Sequence, residues 1–191
     1  ILTFGSDAQG MQSGQFIYDI YDPVTQQHTT LPNTTLTDIF CSAAMILPGT
    51  NQIIIGGGDS RPLGEPNGGV DDTNFFNSDD HTLTQSSVGV MNYERWYPTM
   101  VALPTGQIVI MGGTDYYHAS VATPEIFTPG IGWRSLDGAT DADLAGSPLY
   151  PRAWLGPTGE VVYFAAGPGT NNVVDLMALD AAGNGHLRKL G

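Results

Sequence analysis

The sequence predicts an all-β chain assembled from repeated four-stranded units, and three observations carry that prediction. The first is composition: 25 glycines and 13 prolines among 191 residues, with 41% hydrophobic and 13% charged residues, favour short strands joined by many tight turns. The second is that no stretch shows a sustained helical period with caps. The third is self-similarity. Residues 41–59 align with residues 97–115, and a third copy begins at Tyr150 and runs through Gly167. The opening segment, residues 1–7, matches the end of the same unit, so Asp7, Asp59 and Asp115 stand 52 and 56 residues apart. That spacing is close to the roughly 50-residue period of a kelch blade.

Each element has a local reason. Ile53-Ile54-Ile55, Ile108-Val109-Ile110-Met111 and Val161-Val162-Tyr163-Phe164 are short apolar runs, rich in β-branched or aromatic residues and closed by Gly or Ala. They read as strands buried on both faces. A hairpin turn precedes each one. Leu47-Pro48-Gly49-Thr50 suits a type II turn, with Gly supplying positive φ at its third position, whereas Leu103-Pro104-Thr105-Gly106 and Gly156-Pro157-Thr158-Gly159 suit type I. Downstream, the segments 16–23 and 125–129 read as the third strand of a unit and the proline turn that closes it. The acidic stretch Asp71-Asp72-Thr73-Asn74 with Asp79-Asp80 reads as a solvated insertion loop, lacking the glycine and spacing of an EF-hand.

Repeated four-stranded units of this size fit an all-β, kelch-type β-propeller. About four four-stranded blades of an expected seven are present. Their approximate limits are 1–36 (incomplete, without its innermost strand), 37–90, 91–145 and 146–191. The chain opens on Ile1, so it reads as a mature, processed or excerpted chain.

Charge removes several partner classes. Six Lys+Arg against 19 Asp+Glu leave a net −13, with Lys189 the single lysine, so nucleic acid and membrane surfaces are not expected partners. The acidic, lysine-poor composition and the Asn33-Thr34-Thr35 sequon are compatible with a secreted or extracellular protein. One cysteine, Cys41, excludes an internal disulfide.

The repeat register singles out candidate site residues. Cys41, Tyr97 and Tyr150 each precede a turn proline (Pro48, Pro104, Pro157) by seven residues. All three therefore occupy one structural position at the start of the innermost strand, where equivalent side chains of successive blades converge on one mouth of the central channel. Position alone leaves two readings open: a small buried thiol and a packing tyrosine, or a converging site in which Cys41 and Tyr97 touch.

The chain resembles the catalytic propeller of the copper radical oxidases, the galactose oxidase and glyoxal oxidase family. The resemblance rests on Asp38-Ile39-Phe40-Cys41, on residues 91–99 (Met-Asn-Tyr-Glu-Arg-Trp-Tyr-Pro-Thr) continued by Leu103-Pro104-Thr105-Gly106 and Gly112-Gly113, on Ala153-Trp154-Leu155, and on residues 166–170 (Ala-Gly-Pro-Gly-Thr). The run Arg95-Trp96-Tyr97-Pro98-Thr99 is closer to the glyoxal oxidase branch. The resemblance implies that Cys41 forms a thioether to a ring carbon of Tyr97, whose phenolate binds copper, so that the tyrosine and the metal each hold one oxidising equivalent. It implies oxidation of a primary alcohol, aldehyde or carbohydrate substrate, with O2 reduced to hydrogen peroxide. The same resemblance implies an axial tyrosine and two histidines from later blades and a C-terminal domain, and this chain has no match for them.

Other candidates depart from the family pattern. Where galactose oxidase stacks a tryptophan over the thioether, this chain has Asp115 followed by Tyr116 and Tyr117. Tyr116, Tyr150 and Arg152 are the candidate substrate-binding residues. Tyr117-His118 imitates a family Tyr-His pair but follows the wrong strand and reads as loop. His28, His81 and His186 stand singly and are poor metal ligands. The alternative function is a non-catalytic kelch propeller that binds carbohydrate or protein through its loops.

Overall fold

A computed structural model describes residues 1–5, 9, 11–12, 14, 16–60, 67–146, 149–166 and 174–190. Asp7 of the opening match, and residues 167–170 of the last family motif, lie outside the described residues. The chain is all-β and propeller-like. Strands β1 (Leu2–Thr3), β2 (Ile17–Asp22) and β3 (Gln27–Pro32) form a three-stranded antiparallel sheet. Three four-stranded sheets follow, each in chain order. They are β4 (Ala43–Ile46), β5 (Gln52–Gly56), β6 (Thr73–Asn77) and β7 (Leu83–Gln85); β8 (Thr99–Ala102), β9 (Ile108–Met111), β10 (Glu125–Thr128) and β11 (Gly132–Ser135); and β12 (Ala153–Leu155), β13 (Val161–Ala165), β14 (Asp175–Asp180) and β15 (His186–Lys189). Two short 3-10 turns, Asp137–Ala139 and Ala142–Gly146, are the helical elements among the described residues.

Apolar runs at period two explain the stacking of the sheets. In β5, Ile55 packs with Tyr18, Phe76 and Leu83 against the first sheet, while Ile54 packs with Met100, Ile108 and Phe127 against the third. In β9, Ile108 and Ile110 face the second sheet, while Val109 and Met111 pack with Val161, Tyr163 and Leu179 of the last. Successive side chains thus feed successive inter-sheet cores, as both-face burial requires. Strand β13 differs. Val161, Tyr163 and Ala165 are buried, but Phe164 is 40% exposed and meets the half-exposed Trp154 edge-on, because no described sheet covers that face.

The acidic segment is not a solvated loop. Its centre is β6, paired with β5 from Gly56↔Thr73 to Gln52↔Asn77, and only residues 78–80 form the exposed turn after it. The Asp71-Asp72 pair hides a strand whose Phe75 and Phe76 carry the apolar surface.

The turns take the expected forms. Thr50 N–H donates to the Leu47 carbonyl with Gly49 at φ 75°, and the Gly106 and Gly159 N–H groups close the other two turns onto Leu103 and Gly156. The sequon asparagine acts as a staple: its Nδ2 donates to the Gly14 and Thr37 carbonyls at 2.8 and 2.9 Å.

Candidate functional site

The inner strands β4, β8 and β12 lie side by side, and the site is built at their leading ends. Cys41 and Tyr97 come two residues before β4 and β8, and Tyr150 three before β12. All three have left-handed backbones, with φ of 62°, 60° and 46°. For non-glycine residues this is a strained conformation, costing of order 1–3 kcal/mol each, that persists where surrounding structure enforces it. Hydrogen bonds between the sheets enforce it here. The Tyr97 N–H donates to the Cys41 carbonyl at 2.9 Å, and the Tyr150 N–H donates to the Tyr97 carbonyl at 2.7 Å. The three equivalent residues form a backbone staircase across successive sheets.

The staircase brings the side chains together. The Cys41 thiol and the Tyr97 phenol lie close enough for each to shift the other's proton affinity. Burial pushes the thiol up to about 11; the Tyr97 hydroxyl and Trp96 indole N–H act the other way, and the carboxylates of Asp59 and Asp38 add to the rise. Tyr97 is pushed up to about 12, first by its hydrogen bond to Cys41 and then by burial. Burial, followed by the nearby Cys41, carries Tyr150 to about 12. All three groups are protonated at neutral pH.

Tyr97 packs against two other rings. Trp96 stacks on it, with centroids 4.2 Å apart and planes at 19°, and Tyr150 lies 4.8 Å away at 36°. In an extended strand neighbouring side chains point to opposite faces; the left-handed turn at Tyr97 lets its ring fold back onto its own neighbour. The buried Trp96 Nε1 has no hydrogen-bond partner and lies near enough to Cys41 to lower its pKa. Trp96 also meets His118 in an edge-type contact, at 5.6 Å and 65°. The aromatic cover therefore comes from Trp96, and Tyr116 takes no part in it: the residue is 42% exposed and its ring packs on Tyr117.

The segment carrying Trp96 and Tyr97 is anchored from behind. Arg95 and Glu125 are both fully buried and pair at 3.0 Å. The guanidinium also donates to the Gly112 and Thr123 carbonyls, both at 2.7 Å. The other Glu125 oxygen accepts from the Asn92 backbone and side-chain nitrogens at 2.6 and 2.8 Å. Gly57, at φ 74°, packs its Cα so closely on the Arg95 carbonyl oxygen that a Cβ would overlap it. None of these partners is close in sequence, and no short-range signal announces them.

Beside Tyr150 opens a cavity of about 470 Å³ lined by Leu149, Tyr150, Arg152, Phe164, Ala166 and Val174. Arg152 is its one cation, set among apolar and aromatic walls. Tyr150 and Arg152 are thus brought together, with Tyr150 joining the cavity to the Tyr97 ring. Among the described residues no group of three or more His, Cys, Asp or Glu side chains is placed to hold a metal ion.

No protein-family model matches the chain. A protein of Artemisia annua, Art an 7, whose name assigns it provisionally as an aldehyde oxidase, is 28% identical over 152 residues, 76% of this chain and 24% of that protein. A solved structure described as a novel fungal alcohol oxidase of the AA5 family, in complex with copper, superposes with a TM-score of 0.70 at 19% identity, covering all of this chain and 38% of that one. The chain spans about a quarter of the first and under two fifths of the second. Both of these proteins are oxidases by name, and the structural likeness shows the propeller-like fold.

Proposed function

We propose that the chain is part of the catalytic propeller of a copper radical oxidase that oxidises primary alcohols or aldehydes with O2 and releases hydrogen peroxide. On this reading the four sheets are blades of a larger, seven-bladed ring, with limits near 1–36, 37–90, 91–145 and 146–191. One observation carries the proposal: a thiol and a phenol at equivalent left-handed positions of successive sheets, tied by a backbone hydrogen bond, lie close enough to shift each other's proton affinity. A packing role for either residue does not require that conformation or that meeting.

The donor set fits copper in part. A phenolate oxygen at Tyr97 suits a cupric ion, and because Tyr97 stays protonated to about pH 12, metal binding has to release its proton. The remaining ligands are proposed to come from the rest of the propeller and a C-terminal domain. Copper, when bound, supplies one of the two oxidising equivalents and the route to O2. Maturation replaces the Cys41 S–H and a Tyr97 ring C–H by a single S–C bond. The two protons and two electrons so lost reduce one O2 to hydrogen peroxide, which balances the step.

The chain's own residues then divide the work. Sulfur on the ring donates electron density, so Tyr97 gives up an electron more readily than a plain tyrosine. Trp96 and Tyr150 pack against the ring and reduce its exposure to water. Tyr150 and Arg152 line the cavity in which an alcohol, aldehyde or carbohydrate substrate is held, with Arg152 oriented to a hydroxyl or carboxylate oxygen. The proposed setting is extracellular, in keeping with the acidic, lysine-poor composition.

The test is peroxide release from the copper-loaded full-length protein across a panel of alcohols and aldehydes. Turnover with one of them, lost by orders of magnitude in Cys41→Ala and Tyr97→Phe, is the expected result. Copper-loaded protein that stays silent across the panel leaves a carbohydrate- or protein-binding propeller.

A further inference from the structure

The cover on Tyr97 itself has a cover. The loop after β9 folds around the Asp115 carboxylate, whose Oδ1 accepts the Tyr117 and Ala119 N–H groups at 2.9 and 2.8 Å. The Asp115 N–H donates to the Ala119 carbonyl, and the His118 N–H donates back to the Asp115 carbonyl, at 2.9 and 3.1 Å. Glu94 fixes the loop from outside by accepting the Tyr116 N–H at 2.9 Å. Thr114 and Trp96 exchange both backbone hydrogen bonds, at 2.7 and 2.9 Å, which ties the root of the loop to the segment it covers. Within this knot His118 is held at φ 63°, and its ring meets the Trp96 indole in an edge-type contact, centroids 5.6 Å apart, while the same indole stacks on Tyr97.

We propose that His118 is a positioning residue: by packing against Trp96 it keeps the indole flat on Tyr97, so His118, Trp96, Tyr97 and Tyr150 act as one packed unit. The inference rests on the reading of Tyr97 as the redox group, and it concerns packing of the imidazole and not its proton. Edge-to-face aromatic pairs contribute enough to shift a two-state equilibrium by roughly two- to tenfold. Loss of the His118 ring should raise the share of uncovered Trp96 by that factor.

The test compares wild type with His118→Asn, which keeps a residue that tolerates the left-handed backbone, and with His118→Phe, which restores an edge. All are made in the full-length protein. The first readout needs no copper: the 19F resonance of Trp96 in protein labelled with 5-fluorotryptophan, assigned through Trp96→Phe. The second is the lifetime of the oxidised, copper-loaded form without substrate. His118→Asn should shift and broaden the Trp96 line and shorten the lifetime roughly two- to tenfold, with the Cys41–Tyr97 linked peptide still forming and KM changed less than twofold. His118→Phe should behave as wild type. An unmoved Trp96 line in His118→Asn, or a His118→Phe protein as impaired as His118→Asn, overturns the inference. Absence of the linked peptide from mature wild type overturns the oxidase reading instead and leaves the 19F comparison valid.

Discussion

Replacing Glu125 by glutamine removes one charge from an ion pair that no solvent reaches. Arg95 and Glu125 are both 0% exposed. Burial disfavours the charged guanidinium, and Glu125 is the first influence that offsets this. Every group facing the carboxylate is a donor: Arg95 Nε and Nη2 on one oxygen, the Asn92 nitrogens on the other. A glutamine has one acceptor oxygen, so its amide nitrogen faces a donor in either orientation, and the arginine keeps a charge with no counter-ion. Breaking a buried pair from one side costs about 3–5 kcal/mol. Arg95→Met should cost a similar amount. The double variant Arg95→Met/Glu125→Leu should cost well under the sum, because it leaves no stranded charge, although the Gly112 and Thr123 carbonyls and the Asn92 nitrogens still lose partners. Denaturant unfolding of wild type, both single variants and the double variant measures the coupling. Single variants within about 1 kcal/mol of wild type, or strictly additive losses, would refute the buried-anchor argument.

Four further outcomes follow from the same geometry. The Cys41 thiol, moved from its ordinary 9.0 to about 11, should hold roughly 100-fold less thiolate at neutral pH, so alkylation of the copper-free protein should be slow at pH 8 and rise toward pH 11; an exposed-thiol rate at pH 8 contradicts this. Because the folded thiol binds its proton more tightly than the unfolded one, its contribution to stability is complete below pH 9.0 and is lost as pH climbs to about 11, with Tyr97 and Tyr150 following between 10.0 and about 12. Gly57→Ala should destabilise by at least about 1–2 kcal/mol from the left-handed backbone alone, with more from the overlap on the Arg95 carbonyl, and should lower the amide exchange protection of Trp96 and Tyr97; unchanged protection counts against Gly57 as the seat of that segment. Asn74 is fully buried in β6 with neither amide atom partnered, so Asn74→Val should raise stability by about 1 kcal/mol or more, and a lower unfolding midpoint contradicts that account.

Much of the architecture was legible because its signals are local. Ile53–Ile55 and Ile108–Met111 announce two-faced strands by composition, and Leu-Pro-Gly and Leu-Pro-Thr-Gly announce their turns. The meeting of Cys41 with Tyr97 was legible through counting, since a common offset from a turn proline fixes a common place in every sheet. What escaped is non-local or conformational. Nothing in a cysteine or tyrosine side chain signals a left-handed backbone, yet that φ folds Trp96 onto Tyr97 and moves the aromatic cover away from Tyr116. Arg95 and Glu125 are 30 residues apart, so their pairing depends on the tertiary fold. The β6 strand was masked by its acidic flank, where charge outweighed the Phe75-Phe76 pair. Phe164 fits the two-faced pattern of its predecessors and still lies half open, because burial of a strand depends on the neighbouring sheet as well as on its own residues.

Peptide mapping of the copper-matured full-length protein tests the central claim most directly. The account predicts one species in which the peptides bearing Cys41 and Tyr97 travel together, two hydrogens lighter than their sum, and predicts that it is absent from Tyr97→Phe. Two separate peptides of unaltered mass, from protein shown to hold copper and exposed to oxygen, would contradict it.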